Sequence, residues 1–84
     1  MTEAERALTD AIKTIADVII AMNENAAKAL AVNFNLQRQA HLERGHKEAA
    51  DVFEILQAFV EDPKRTEARK QNLQLQSEPP KGQA

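Results

Sequence analysis

The chain has 84 residues, no cysteine and a formal net charge of −2 at pH 7. This length allows one small domain, and the lack of cysteine excludes disulfides and thiolate zinc sites. The longest strongly apolar run, Val18 to Met22, is far shorter than the roughly 20 residues that cross a bilayer. We therefore expect a cytoplasmic protein without a membrane partner.

One apolar stripe dominates the first half of the chain. Its members recur at alternating steps of four and three residues, which is the spacing of a helical seam. The seam comprises Leu8, Ile12, Ile15, Ile19 and Met22, and the spacing continues through Ala26, Ala29, Asn33, Leu36 and Ala40. This pattern predicts a helix from residue 3 to about residue 43, started by a capping box of Thr2 and Glu5.

Asn23-Glu24-Asn25 is the one place where this helix could break, because Asn25 could cap a new helix. The stripe passes through this point without slipping, so we expect a continuous helix. The alternative is a monomeric three-helix bundle that breaks near Asn23–Asn25.

A second, shorter helix is predicted from about His46 to Glu61. Gly45 forms the preceding turn, and Asp62-Pro63 ends the helix. Alternatively, Asp62 caps a short further helical segment with Pro63 at its first position. The expected packing residues of this all-α helical hairpin are Leu36, Ala49, Val52, Phe53, Leu56, Phe59 and Val60.

The two predicted helices differ in length, which leaves apolar surface uncovered. The second helix, roughly 24 Å long, reaches only residues 27–42 of the first. The seam from Leu8 to Met22 stays bare, and exposed stripes of this kind normally mark an interface. We therefore expect a homodimer, in which two antiparallel hairpins form a four-helix-type bundle. A second, weaker stripe is predicted to face a partner and comprises Ile20, Ala27, Leu30 and Phe34.

Residues 63–84 carry five bases and two acids and few apolar side chains. We expect a basic, mostly disordered tail that follows a helical domain of residues 1–62. Its candidate phosphate contacts are Lys64, Arg65, Arg69 and Lys70. The tail has no aromatic residue on which a nucleobase could stack, so nucleic-acid binding is the less favoured function.

No reactive constellation emerges from the sequence. His41 and His46 are five residues apart across Gly45, and helical metal ligands need a spacing of three or four. Acids such as Glu43 lie beside bases such as Lys47, which is typical of solvated surface rather than of a catalytic pocket. We expect no metal, no cofactor and no enzymatic activity.

Two resemblances concern the second half of the chain. The run from Ala40 through Gly45 to Asp62-Pro63 resembles the second half of a tetratricopeptide repeat. One copy is present, whereas a stable array needs about three. The size and hairpin plan are also similar to small helical proteins of bacterial secretion systems, although Arg44-Gly45 lacks the tryptophan of the Trp-x-Gly turn in one such family. Neither resemblance assigns a family.

The predicted function is protein binding. A bare seam without a reactive site indicates a small adaptor, chaperone or inhibitor that binds an unidentified protein and a second copy of itself. The alternatives are a small nucleic-acid-associated regulator that uses the basic tail and a structural subunit of a bacterial or phage assembly.

Overall fold

The computed structural model describes residues 1–77, apart from the side chains of residues 73 and 75–77. Its first helix, α1, spans Glu3–Met22 and begins with the predicted capping box. The Glu5 amide donates to Thr2 Oγ1 (3.1 Å), and the Thr2 amide donates to Glu5 Oε1 (3.3 Å). These bonds pair two amides that a helix otherwise leaves unsatisfied. The hydrogen bonds with Thr2 also lower the pKa of the Glu5 carboxyl.

The prediction of one continuous helix over residues 3–43 is wrong. Helix α1 ends at Met22, and a separate helix, α2, spans Ala26–Glu43. Asn23 makes the break, because its Oδ1 accepts from the Asn25 amide (3.1 Å) and its backbone carbonyl accepts from the Ala26 amide (3.0 Å). Such side-chain bonds compete with the helical ladder. Spacing along the sequence did not reveal the break, since a change in chain direction leaves that spacing intact.

Helix α3 spans Lys47–Glu61 and packs along α2, so these two helices form the hairpin. Gly45 makes the turn between them with φ +77°, a conformation that residues with a Cβ rarely adopt. The His46 amide donates to the His41 carbonyl (2.8 Å) and closes the end of α2. Midway along the pair, the rings of Phe34 and Phe53 lie 6.1 Å apart.

A fourth helix, α4, spans Lys64–Ser77, where we expected mostly disordered chain. The Asp62 side chain accepts from the Lys64 amide (3.0 Å) immediately before the helix. The expectation relied on the shortage of apolar residues and overlooked ion pairs, which hold α4 against α1. Residues 78–84 of the predicted tail lie outside the described residues.

The main buried cluster lies where α1, α2 and α3 meet. It contains Ala16, Ile20, Ala31 and Val60, with Ala26, Ala27, Leu30, Phe34 and Phe59 packed around them. The second stripe therefore contributes Ile20 to this cluster and packs Ala27, Leu30 and Phe34 against it, rather than forming a separate outer surface. The break at Asn23 redirects α2, so that the stripe packs within the chain.

Most of the predicted hairpin residues do pack. Leu56 and Val60 are buried, and the others on α3 are half-buried: Ala49, Val52, Phe53 and Phe59. Leu36 is the exception, because it is 57% exposed. It follows Phe34 by two residues, which turns it about 200° around α2 and away from α3.

The described part of the chain is entirely helical apart from its turns, and it contains no β-strand. None of its helices is both long enough and apolar enough to cross a membrane.

Candidate protein-docking surface

Six of the eleven large apolar side chains that are exposed among the described residues lie along one side of α1. We call this surface the α1 outer face, and it comprises Leu8, Ile12, Ile15, Val18, Ile19 and Met22. It contains all five residues of the predicted seam. Leu8 is 65% exposed, Ile15 59% and Met22 72%. The structure thus brings the seam residues together on one side of one helix and leaves them uncovered within the chain.

The inner side of α1 is less apolar than its outer face. Thr9, Ala16 and Ile20 are buried there, and Lys13 and Asp17 are half-buried beside them. The Thr9 hydroxyl donates to the Glu5 carbonyl (2.8 Å), which allows a polar side chain to be buried at little cost. A helix normally turns its most apolar stripe inward. Helix α1 is thus turned the other way, with its more apolar side toward solvent.

The outer face is continuous and uncharged. Its six side chains are between 40% and 72% exposed. Adjacent apolar side chains with this exposure form the kind of patch that marks an interaction site once it exceeds a few hundred Å². Ala4 and Ala11 flank the face, and small side chains at that position allow a second helix to approach closely.

The basic residues of α4 do not form an open phosphate site. Arg65 and Arg69 both bind the Asp17 carboxylate, and Lys70 pairs with Glu24, which raises the pKa of Lys70. Three of the four candidate phosphate contacts are therefore engaged within the chain. The side chain of Lys64, the fourth, is exposed.

Sequence reasoning missed Asp17, which organises the contact between α1 and α4. The available signal was a pair of arginines four residues apart, since that spacing places both on one side of a helix. A search for apolar stripes does not detect such a contact, because its partner is a single carboxylate 48 residues earlier in the chain.

The two histidines come together at the turn between α2 and α3. Their Nδ1 atoms lie 3.5 Å apart, and the His41 ring stacks on Phe53 with centroids 5.5 Å apart. This separation is longer than an ordinary hydrogen bond, so the imidazole pair contributes little to holding the turn. Residues 1–77 contain no group of three or more side chains that could hold a metal ion.

Two open grooves flank the helices. One lies beside α2 and is lined by Ala27, Ala31, Val32, Val60 and Pro63 with polar residues at its rim. The other lies between the first turn of α1 and the start of α3, where Glu5, Glu48 and Asp51 surround Val52 and Ile55.

Comparison of the chain with models of known families, with curated proteins and with solved structures finds no match in any of the three.

Proposed function

We propose that the protein is a non-enzymatic protein-binding module, a small adaptor, chaperone or inhibitor, and that it binds through the α1 outer face. The observation that carries the proposal is the reversal of α1, whose more apolar side faces solvent. Each large aliphatic side chain gains about 1.5–3 kcal/mol when it is fully buried. A surface with six such side chains is most simply explained as an interface.

The occupant of the outer face that we propose is a second copy of the chain. A stable interface buries about 800 Å² per partner. The outer face contributes six large aliphatic side chains to such an interface. An uncharged helix face also pairs well with itself, because no like charges are brought together. A homodimer would bury both copies of the seam in one contact.

An antiparallel arrangement of the two α1 helices suits the spacing of the seam. Its steps of four, three, four and three read nearly the same in either direction, so a two-fold axis near the middle of α1 aligns apolar residues along its length. Antiparallel helices also bring opposite ends of their dipoles together. We propose a cytoplasmic location for this dimer, in keeping with the lack of cysteine.

The alternative role in nucleic-acid binding is less well supported. Arg65, Arg69 and Lys70 already have carboxylate partners, so a phosphate would have to displace Asp17 and Glu24. Glu67 also lies on α4 and would repel a phosphate backbone.

The proposal is tested by the mass in solution of Ile15→Lys. A lysine at the centre of the outer face brings two charges into the dimer contact, where they are costly to bury. We expect the unmodified chain to have twice its 9.4 kDa mass and Ile15→Lys to be monomeric. Light scattering after gel filtration gives the mass, with detection by refractive index because the chain has no tryptophan or tyrosine.

Leu36→Lys is the matched control. Leu36 is as exposed as Ile15 but lies on α2, outside the outer face. This variant should keep the dimer. Equal masses for the two variants, or a monomeric unmodified chain up to about 1 mM, would contradict self-association through α1.

A further inference from the structure

Helix α4 is held against α1 and α3 by polar contacts. Asp17 on α1 receives both arginines: Arg65 Nη2 donates to Oδ2 (2.9 Å), and Arg69 Nε donates to Oδ1. Arg69 Nη2 also donates to the backbone carbonyl of Phe59 on α3 (3.0 Å). The carboxylate of α1 and the carbonyl of α3 thus bind the same guanidinium from two sides.

An aromatic ring completes the surface beneath α4. The guanidinium of Arg65 lies 4.2 Å from the centroid of the Phe59 ring, and that of Arg69 lies 5.1 Å from it. Cations at these distances are attracted to the face of a ring. Lys13 of α1 approaches the same ring (5.4 Å), and Lys70 pairs with Glu24 further along.

Over residues 64–72, α4 contacts the rest of the chain through polar rather than apolar side chains. Between residues 64 and 72 its only apolar side chain is Ala68, which is exposed, while the buried side chain is Arg69. Arg65 Nε and Arg69 Nη1 are buried and have no hydrogen-bond partner among the described residues. Buried donors without a partner weaken the attachment of α4.

We propose that the surface formed by Asp17, Glu24 and Phe59 is a binding site for a partner protein's helix that carries two arginines four residues apart. Helix α4 occupies this site within the chain as a displaceable competitor. The site lies on the inner side of α1, so this proposal does not depend on the role of the outer face.

The Asp17 carboxylate favours a helix with two arginines on one side, as its contacts with Arg65 and Arg69 show. Arginines four residues apart lie on one side of a helix, which lets one carboxylate bind both. The short Asp62-Pro63 connection holds α4 close to the site, so a partner must compete with a high effective concentration of α4. The contacts are ionic and partly exposed, so salt weakens both α4 and the partner helix.

The first test uses hydrogen exchange in the unmodified chain. We expect amides of residues 66–72 to exchange at least fivefold faster in 0.5 M than in 0.05 M NaCl, once intrinsic rates are matched. Amides in the α2–α3 hairpin should change less than twofold. Equal responses of α4 and the hairpin would overturn the proposal, because α4 would then open only with the whole fold.

The second test measures binding of a labelled peptide with the sequence of residues 62–77 by fluorescence anisotropy. The variant Arg65→Gln/Arg69→Gln loses the anchors of α4 but keeps the site. We expect it to bind the peptide at least tenfold more tightly than the unmodified chain does. Adding Asp17→Asn to this variant should abolish binding, since the carboxylate for both arginines is gone.

Each other outcome overturns the proposal. Equal binding by the unmodified chain and the double variant would mean that α4 does not compete for the site. Binding that survives Asp17→Asn would place the peptide elsewhere. A loss of helix in the double variant that exceeds the 14 residues of α4, seen by circular dichroism, would make α4 an integral part of the fold. A dimer of the unmodified chain that Arg65→Gln/Arg69→Gln dissociates would mean that copies exchange α4.

Discussion

Two neighbouring residues, Leu8 and Thr9, show how α1 is oriented relative to the core. They are neighbours, so they point about 100° apart, and the polar one is buried while the apolar one is exposed. The Thr9 hydroxyl remains satisfied through the Glu5 carbonyl, which removes most of the penalty for its burial. Leu8 has no such compensation in water, and a partner on the outer face would supply it.

The capping box makes the start of α1 sensitive to acid. Hydrogen bonds with Thr2 lower the pKa of Glu5 in the folded chain. The contribution of Glu5 to stability is therefore present above its unfolded pKa, and it is lost as the pH falls through the folded pKa. We expect Thr2→Ala to raise the pKa of Glu5 toward its ordinary value, as measured by an NMR titration of its carboxyl carbon.

Thr14→Ala is the control for this titration. Thr14 lies on the same helix, and its hydroxyl donates to the Asp10 carbonyl rather than to Glu5. The pKa of Glu5 should not change in this variant. A Glu5 titration that Thr2→Ala leaves unchanged would contradict the link between the capping box and the carboxyl.

Gly45 forms the turn that joins α2 and α3 into a hairpin. A Cβ added there meets no atom within 4 Å, so only the backbone opposes substitution. We expect Gly45→Ala to cost about 1 kcal/mol, because alanine disfavours φ +77°. Thermal unfolding at one fixed protein concentration should show a Tm about 4–8 °C lower.

Gly45→Asn separates strain from bulk. Asparagine tolerates the left-handed conformation better than alanine does, so this variant should lose less stability although its side chain is larger. A larger loss for asparagine than for alanine would mean that crowding at the turn, rather than backbone conformation, decides the effect.

The sequence correctly predicts those structural features that depend on residues close together in the chain. The capping box, the glycine turn and α3 follow from residues a few positions apart, and the structure confirms each. The break at Asn23 was only the alternative, because asparagine hydrogen bonds can either interrupt a helix or point to solvent. Helix α4 was missed because its anchor, Asp17, is distant in sequence and makes ionic contacts.

The spacing of apolar residues in the sequence could not decide which side of α1 faces the core of the molecule. Two stripes on α1 repeat with the spacing of a helix face. The first is Leu8, Ile12, Ile15 and Ile19, and the second, one residue later, is Thr9, Lys13, Ala16 and Ile20. Apolar content favoured the first for burial, whether within the chain or in a dimer. The structure buries Thr9, Ala16 and Ile20 of the second stripe within the chain and leaves the first stripe exposed.

The α1 outer face, as we propose, forms the contact between two copies of the chain. Isotope-filtered methyl NOESY on a mixture of labelled and unlabelled chains tests it most directly, since only contacts between copies give signals. We predict intermolecular NOEs among the methyl groups of Ile12, Ile15 and Ile19, with none at Val32 or Leu36 of α2. A sample of the same mixture without intermolecular signals, or with signals at Val32 and Leu36 alone, would contradict the claim.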